Sequence, residues 1–98
     1  MPKVKLSPAT FEDAAARFQA LAVPARLRLL HALGETRELS VSDLVEATGL
    51  SQANLSKHLQ VLHATGFVRR RREGLYAFYA LADDDVLRLC DLMCGRIG

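Results

Sequence analysis

The stretch that most constrains the fold is residues 50–80, LSQANLSKHLQVLHATGFVRRRREGLYAFYA. Ser51 stands where a side-chain oxygen caps a helix N-terminus, and Leu55, Leu59 and Leu62 follow at helical spacing to form one apolar stripe. The opposite face carries Gln52, Ser56, Lys57 and Gln60. Gly66 supplies the stop. Residues 67–72 and 75–81 then read as two strands of a hairpin around Glu73-Gly74, the first of them strongly basic. A helix dry on one side and wet on the other, followed at once by a basic hairpin, is built to lie on a core and show polar groups outward.

The remaining elements fall around this unit. Ser7-Pro8 is an N-cap with proline at the first helical position, Glu12 and Asp13 lie near that positive end, and the helix runs to about Ala22. Pro24 disfavours a helical Val23 and restarts a second helix that carries Leu27, Leu29, Leu30 and Leu33 to a stop at Gly34. Ser40 and Asp43 have capping-box spacing and open a short helix ended by Gly49. Asp83, Asp84 and Asp85 favour the start of a last helix through capping and the helix dipole, and it continues through Leu87, Cys90 and Met93 towards Ile97. The expected fold is mainly α with a small β-hairpin, in the order α-α-α-α-β-β-α. That is a winged helix-turn-helix, over one domain spanning residues 1–98.

Charge is distributed to match. Residues 1–50 carry six basic and six acidic side chains, residues 51–82 five and one, and residues 83–98 two and four, so the net +2 is concentrated on the polar helix and hairpin. A 98-residue chain buries a modest share of its surface, which makes a homodimer the default expectation. No run approaches the roughly 18 apolar residues of a membrane span, and MPKVKLSP lacks the apolar segment of a signal peptide, so no membrane partner and a cytoplasmic location are expected. In that reducing compartment two cysteines are not expected to form a structural disulfide. No glycine-rich phosphate cradle or nucleophile motif is present, which argues against an enzyme.

Taken together, ALAVPARLRLLHAL and ELSVSDLVEATGLSQANLSKHLQVLHATGFVRRRREGLYAFYAL resemble the ArsR/SmtB family of small bacterial winged-helix repressors, from Phe18 to Leu81. The proline-arginine helix, the LSQ..LS.HL..L segment and the basic hairpin occur together in the family's order and spacing. The resemblance implies a homodimer joined by the first and last helices. It also implies repression of transcription until a metal, metalloid or thiol-directed signal releases the protein from double-stranded operator DNA.

On the family's pattern Ser51, Gln52, Ala53, Ser56 and Lys57 occupy DNA-facing positions, with Asn54 and His58 beside them. The chemistry agrees independently: a helix N-terminus favours phosphate, glutamine pairs bidentately with adenine, and small serine or alanine side chains allow close approach to the groove. Three alternatives stay open, in which Ser51 only caps, Asn54 only solvates the first turn, and His58 is hydrogen-bonded within the domain. Arg69, Arg70, Arg71 and Arg72 form the strongest charge run. Alternation along a strand sends two to each face, so all four cannot touch one phosphate row. They read as a phosphate-binding wing, or as a charged edge that discourages strand pairing.

The family's familiar sensing sites are missing. Where many arsenic-responsive relatives have ELCVCDL this chain has ELSVSDL, so Ser40 and Ser42 replace soft-metal thiols, and no histidine follows His63 for the site near the last helix. Cys90 and Cys94 remain, four residues apart on one helix face. Helical neighbours at this spacing have Cβ atoms about 5–6 Å apart, too far for an unstrained disulfide but suited to a bridging ion. A thiophilic ion such as Cu(I), Zn(II) or trivalent arsenic, redox or persulfide sensing, and plain packing in a dimer seam are all open. The competing function class is a winged helix that serves only as a protein-interaction module.

Overall fold

The computed structural model describes residues 6–98; residues 1–5, which open the MPKVKLSP segment discussed above, lie outside them. Helix α1 (Pro8–Leu21) starts as its sequence requires, with Ser7 Oγ accepting from the Thr10 amide and proline in the first turn. Helix α2 (Pro24–Gly34) begins at an extended Val23. Strand β1 (Leu39–Ser40) leads directly into α3 (Val41–Thr48). The capping box there is complete: Ser40 Oγ accepts from the Asp43 amide, and Asp43 Oδ2 accepts from the Ser40 amide, both at 3.1 Å.

Helix α4 (Gln52–Ala64) is capped by Ser51, whose Oγ accepts from the Asn54 amide at 3.2 Å. Its far end is a Schellman motif around the left-handed Gly66 (φ 82°). The Phe67 amide donates to the Leu62 carbonyl and the Gly66 amide to the His63 carbonyl. That motif takes up Phe67, so β2 (Val68–Glu73) starts one residue later than expected. Strand β3 (Tyr76–Leu81) pairs with it antiparallel, and Glu73 faces Tyr76 within the ladder. The loop is therefore Gly74-Leu75 and not Glu73-Gly74. Gly74 holds φ 59° at the first loop position, where a two-residue turn of the II′ kind places glycine. Helix α5 (Asp85–Ile97) closes the chain.

Two further features differ from expectation. The hairpin belongs to a three-stranded sheet in the order β1-β3-β2, with Leu39 opposite Tyr79 and Ser40 opposite Phe78. A two-residue strand shows no alternation to read. Gly34 is the last residue of α2 and not a left-handed stop: a Cβ there would lie 2.7 Å from both δ-carbons of Leu87, so the glycine makes room for α5. The cap of α5 is Asp83, whose Oδ1 accepts from the Asp85 amide at 2.9 Å, while Asp84 at the N-cap position makes no side-chain cap.

The core consists chiefly of leucines. Leu29, Leu30 and Leu33 of α2, Leu44 of α3 and Leu55, Leu59 and Leu62 of α4 are fully buried, joined by Val68, Tyr79 and Val86. Each such side chain contributes on the order of 1.5–3 kcal/mol by leaving water, so this cluster fixes α4 on the domain. Phe11 and Phe18 of α1 and Leu92, Met93 and Ile97 of α5 are exposed instead.

Candidate nucleic-acid interface

The leucine stripe of α4 turns the other side of that helix to solvent. Ser51, Gln52, Ala53, Asn54, Ser56, Lys57 and Gln60 are all exposed. Ser51 also caps the helix, and Asn54 lends its amide to that cap, so these two residues hold the helix start in shape while sitting on the open face. The free amides and positive dipole end of α4 lie there as well.

His58 departs from this row. It is half-buried, and its Nδ1 accepts a hydrogen bond from Arg26 Nε at 3.1 Å. Burial, and then the Arg26 charge, push its pKa below the ordinary histidine value. The hydrogen-bonded alternative for His58 is thus the one that the geometry displays. Arg26 was not among the expected site residues, although it belongs to the VPAR segment that opens α2.

All four wing arginines are exposed, but they are not equivalent. Arg69 and Arg71 lie opposite Ala80 and Phe78, and Arg70 and Arg72 opposite Tyr79 and Ala77. Tyr79 is buried, so Arg70 and Arg72 are on the core-facing side of the ladder, yet β2 is an edge strand whose residues beyond Val68 stand clear of the core. Arg71 is engaged within the domain. It grips Glu38 with Nε to Oε2 at 3.1 Å and Nη2 to Oε1 at 2.7 Å, reaches Glu73 Oε2 with Nη1 at 2.8 Å, and stacks over the Phe78 ring at 4.7 Å. The pairing lowers the Glu38 pKa, mainly through the Arg71 hydrogen bond, and raises that of Arg71. Neither Glu38 nor Glu73 was among the expected site residues, though Glu73 was expected at the hairpin turn and directly ends the RRRRE run.

The two cysteines sit apart from this surface. Cys90 is half-buried against the core and Cys94 is exposed. Burial pushes the Cys90 thiol up, helped by the neighbouring Cys94 and Asp91. With Phe18, Leu21, Leu27 and Met93 they border an apolar groove of about 540 Å³ between α1, α2 and α5. Among the described residues no group of three or more His, Cys, Asp or Glu side chains is placed to hold a metal ion. Within one chain the thiol pair therefore falls short of a closed soft-metal site, which needs three or four ligands. Along α5, Val86 is buried, Cys90 half-buried, and Met93 and Ile97 exposed.

A leucine-anchored helix with an open polar face, preceded by a short helix and followed by an arginine hairpin, defines a winged helix-turn-helix transcriptional regulator. Residues 23–70 match the bacterial regulatory protein arsR family. The chain is 38% identical over 90 residues to the regulator NmtR of Mycobacterium tuberculosis, covering 92% of this chain and 74% of that one. It is 43% identical over 72 residues to a transcriptional repressor SmtB homologue of Synechocystis, covering 74% of this chain but 54% of that protein. The crystal structure of the antimony-specific repressor AntR superposes with a TM-score of 0.81 at 33% identity, covering 99% of this chain and 87% of that one. A homodimeric winged helix-turn-helix DNA-binding domain from Mycobacterium bovis, solved by NMR, does so with 0.80 at 33% identity, covering 97% and 90%. The chain belongs to the ArsR family, and the family and these relatives are transcriptional regulators. Among the described residues no helix is long and apolar enough to cross a membrane.

Proposed function

We propose that residues 1–98 act as one winged-helix unit of a homodimeric repressor that binds a double-stranded operator and is released by a thiol-directed signal. The observation that carries this reading is the row Gln52, Ser56, Lys57 and Gln60, exposed opposite the buried leucines of α4 and followed in the chain by the arginine wing. Gln52 has the reach and the paired donor and acceptor for an adenine edge; Ala53 and Ser56 keep the helix close to the groove; Ser51, Asn54 and Lys57 lie where phosphate or base contacts are made. Arg69, Arg70 and Arg72 serve phosphates. His58 and Arg71 support these surfaces from within the domain.

Dimerisation through α1 and α5 is supported by the exposed Phe11, Phe18, Leu92, Met93 and Ile97 on those helices and by the homodimeric relative. Two recognition helices would then enter successive major grooves about 34–36 Å apart. The antimony-specific relative supports a soft-ion signal. In this chain Cys90 and Cys94 are the candidate receptors, and a thiophilic ion there would draw further ligands from a second copy.

The test is fluorescence anisotropy with a palindrome selected from random DNA, beside mixed-sequence DNA. Specific binding that Gln52→Ala flattens at one operator position supports the reading. A protein with no salt-dependent DNA binding is an interaction module instead.

A further inference from the structure

We propose that Arg26 and His58 form a positioning pair that sets α4 against the end of α1, so that the DNA-facing surface is held at its working angle by a side-chain link and not by leucine packing alone. The inference rests on the operator-binding reading above. Arg26 lies in the first turn of α2 and bonds in two directions at once. Its Nη1 donates to the Ala20 carbonyl at 3.3 Å, and its Nε donates to His58 Nδ1 at 3.1 Å. Ala20 is buried in the last turn of α1, where carbonyls have no partner inside the helix, so Arg26 satisfies an oxygen that the helix itself leaves open. His58 lies in the middle of α4, between the exposed Lys57 and the buried Leu59.

The guanidinium makes this more than two separate bonds. Its nitrogens are fixed in one plane, so holding Ala20 with one and His58 with another fixes the direction from α1 to α4. Lysine, a single charge on a flexible stem, has no fixed fork and sets no such direction. Because Nδ1 accepts, the bond requires the neutral imidazole. The link also begins beside Phe18 and Leu21, which border the apolar groove shared with α5, and it ends next to Lys57. A shift in the seating of α1 therefore moves the Ala20 carbonyl and, through Arg26, the helix that carries the proposed base contacts.

The experiment compares the full chain with Arg26→Lys, His58→Leu and His58→Asn, measuring affinity for the selected palindrome and for mixed DNA across a salt series. Asparagine keeps an acceptor near the position of Nδ1; leucine removes it. Arg26→Lys and His58→Leu are expected to weaken palindrome binding about tenfold, equivalent to about 1.4 kcal/mol, with His58→Asn within about threefold of the unaltered protein. Mixed-DNA affinity and the salt slope stay unchanged for all three, because no phosphate contact is lost. Equal palindrome affinity for His58→Leu and the unaltered protein overturns the inference. So does a slope flattened by about 0.9 per site, or a preference lost at one base pair, since either makes His58 a direct contact. Should Arg26→Lys fail to fold, seen as lost mixed-DNA binding, the leucine and asparagine pair decides. If the unaltered protein shows no salt-dependent DNA binding, the operator reading fails and this inference falls with it.

Discussion

Neutralising Arg71 should cost far less DNA binding than neutralising either of its neighbours in the run. Arg71 is one guanidinium held by two carboxylates, Glu38 and Glu73, so the trio carries a net charge of −1 and brings no positive charge to a phosphate. Arg69, Arg70 and Arg72 make no ion pair among the described residues. If each serves one phosphate, losing one flattens the slope of log K against log[salt] by about 0.9 per site, and at 0.15 M salt that contact is worth about fivefold in affinity. The expected series, read by anisotropy on mixed DNA between 50 and 300 mM salt, is therefore specific. Arg70→Gln and Arg72→Gln each flatten the slope by about 0.9 per site, whereas Arg71→Gln leaves it near that of the unaltered protein. The double variant Glu38→Gln, Glu73→Gln changes the trio from −1 to +1, frees Arg71 and steepens the slope by up to about 0.9 per site. Equal flattening by Arg71→Gln and Arg70→Gln would show that the carboxylates release Arg71 on DNA, and the reasoning would be wrong.

Three further outcomes are expected. The His58 pKa is lowered in the folded protein, so the neutral form favours folding: this contribution is complete above the unfolded value near 6.5 and is lost as pH falls through the lower folded value. Melting temperatures between pH 8 and 5 should decline at the acid end, and His58→Asn should show a smaller decline; identical profiles would refute the assignment. Leu59→Ala opens a cavity in the fully packed core and is expected to cost about 2–5 kcal/mol in urea unfolding, against less than about 0.5 for the exposed Gln60→Ala. Alkylation by iodoacetamide, followed by mass spectrometry at pH 7.5, should modify Cys94 well before Cys90, whose thiol is partly covered and held protonated by burial. Equal rates would mean that Cys90 is open to solvent.

What the sequence made legible follows from how local each cause is. Caps and stops involve residues two to four apart, and Ser7, the Ser40–Asp43 box, Ser51, Gly49 and Gly66 all appear where the pattern puts them. The leucine stripe of α4 has a period that packing preserves, so its outer face was readable as well. What the local pattern could not supply is the partners far away in the chain. Gly34 looks like a helix stop until Leu87 is placed against it; Arg71 looks like a free cation until Glu38, 33 residues away, is folded beside it; His58 looks like a groove residue until Arg26, 32 residues away, reaches it. Strand β1 is too short to carry a period, and its residues are committed by pairing with β3. The polar face of α4 and the basic run were thus legible, while the internal partners of His58 and Arg71 were not.

The same distinction bears on the thiols. Cys90 and Cys94 share a helix whose apolar residues Leu92, Met93 and Ile97 lie open, and they border a groove that α1 also lines. Two sulfurs and an apolar surface are an incomplete site for a soft ion and, equally, an incomplete half of a packed seam. In the proposed dimer both deficits have one remedy, which is a second α5. Burial already pushes the Cys90 thiol up, with smaller contributions from Cys94 and Asp91, and covering the apolar face removes more water and disfavours its thiolate further. A cation reverses all three effects, because it stabilises the thiolate and offsets the neighbouring negative charge. On the proposed reading, then, the Cys90 thiol is a poor nucleophile but a responsive ligand, and its response depends on how closely two copies bring α5 together. On the same reading DNA fixes that distance through the spacing of its major grooves. Any signal received at the seam must therefore be felt at the operator by the same factor with which the operator is felt at the seam.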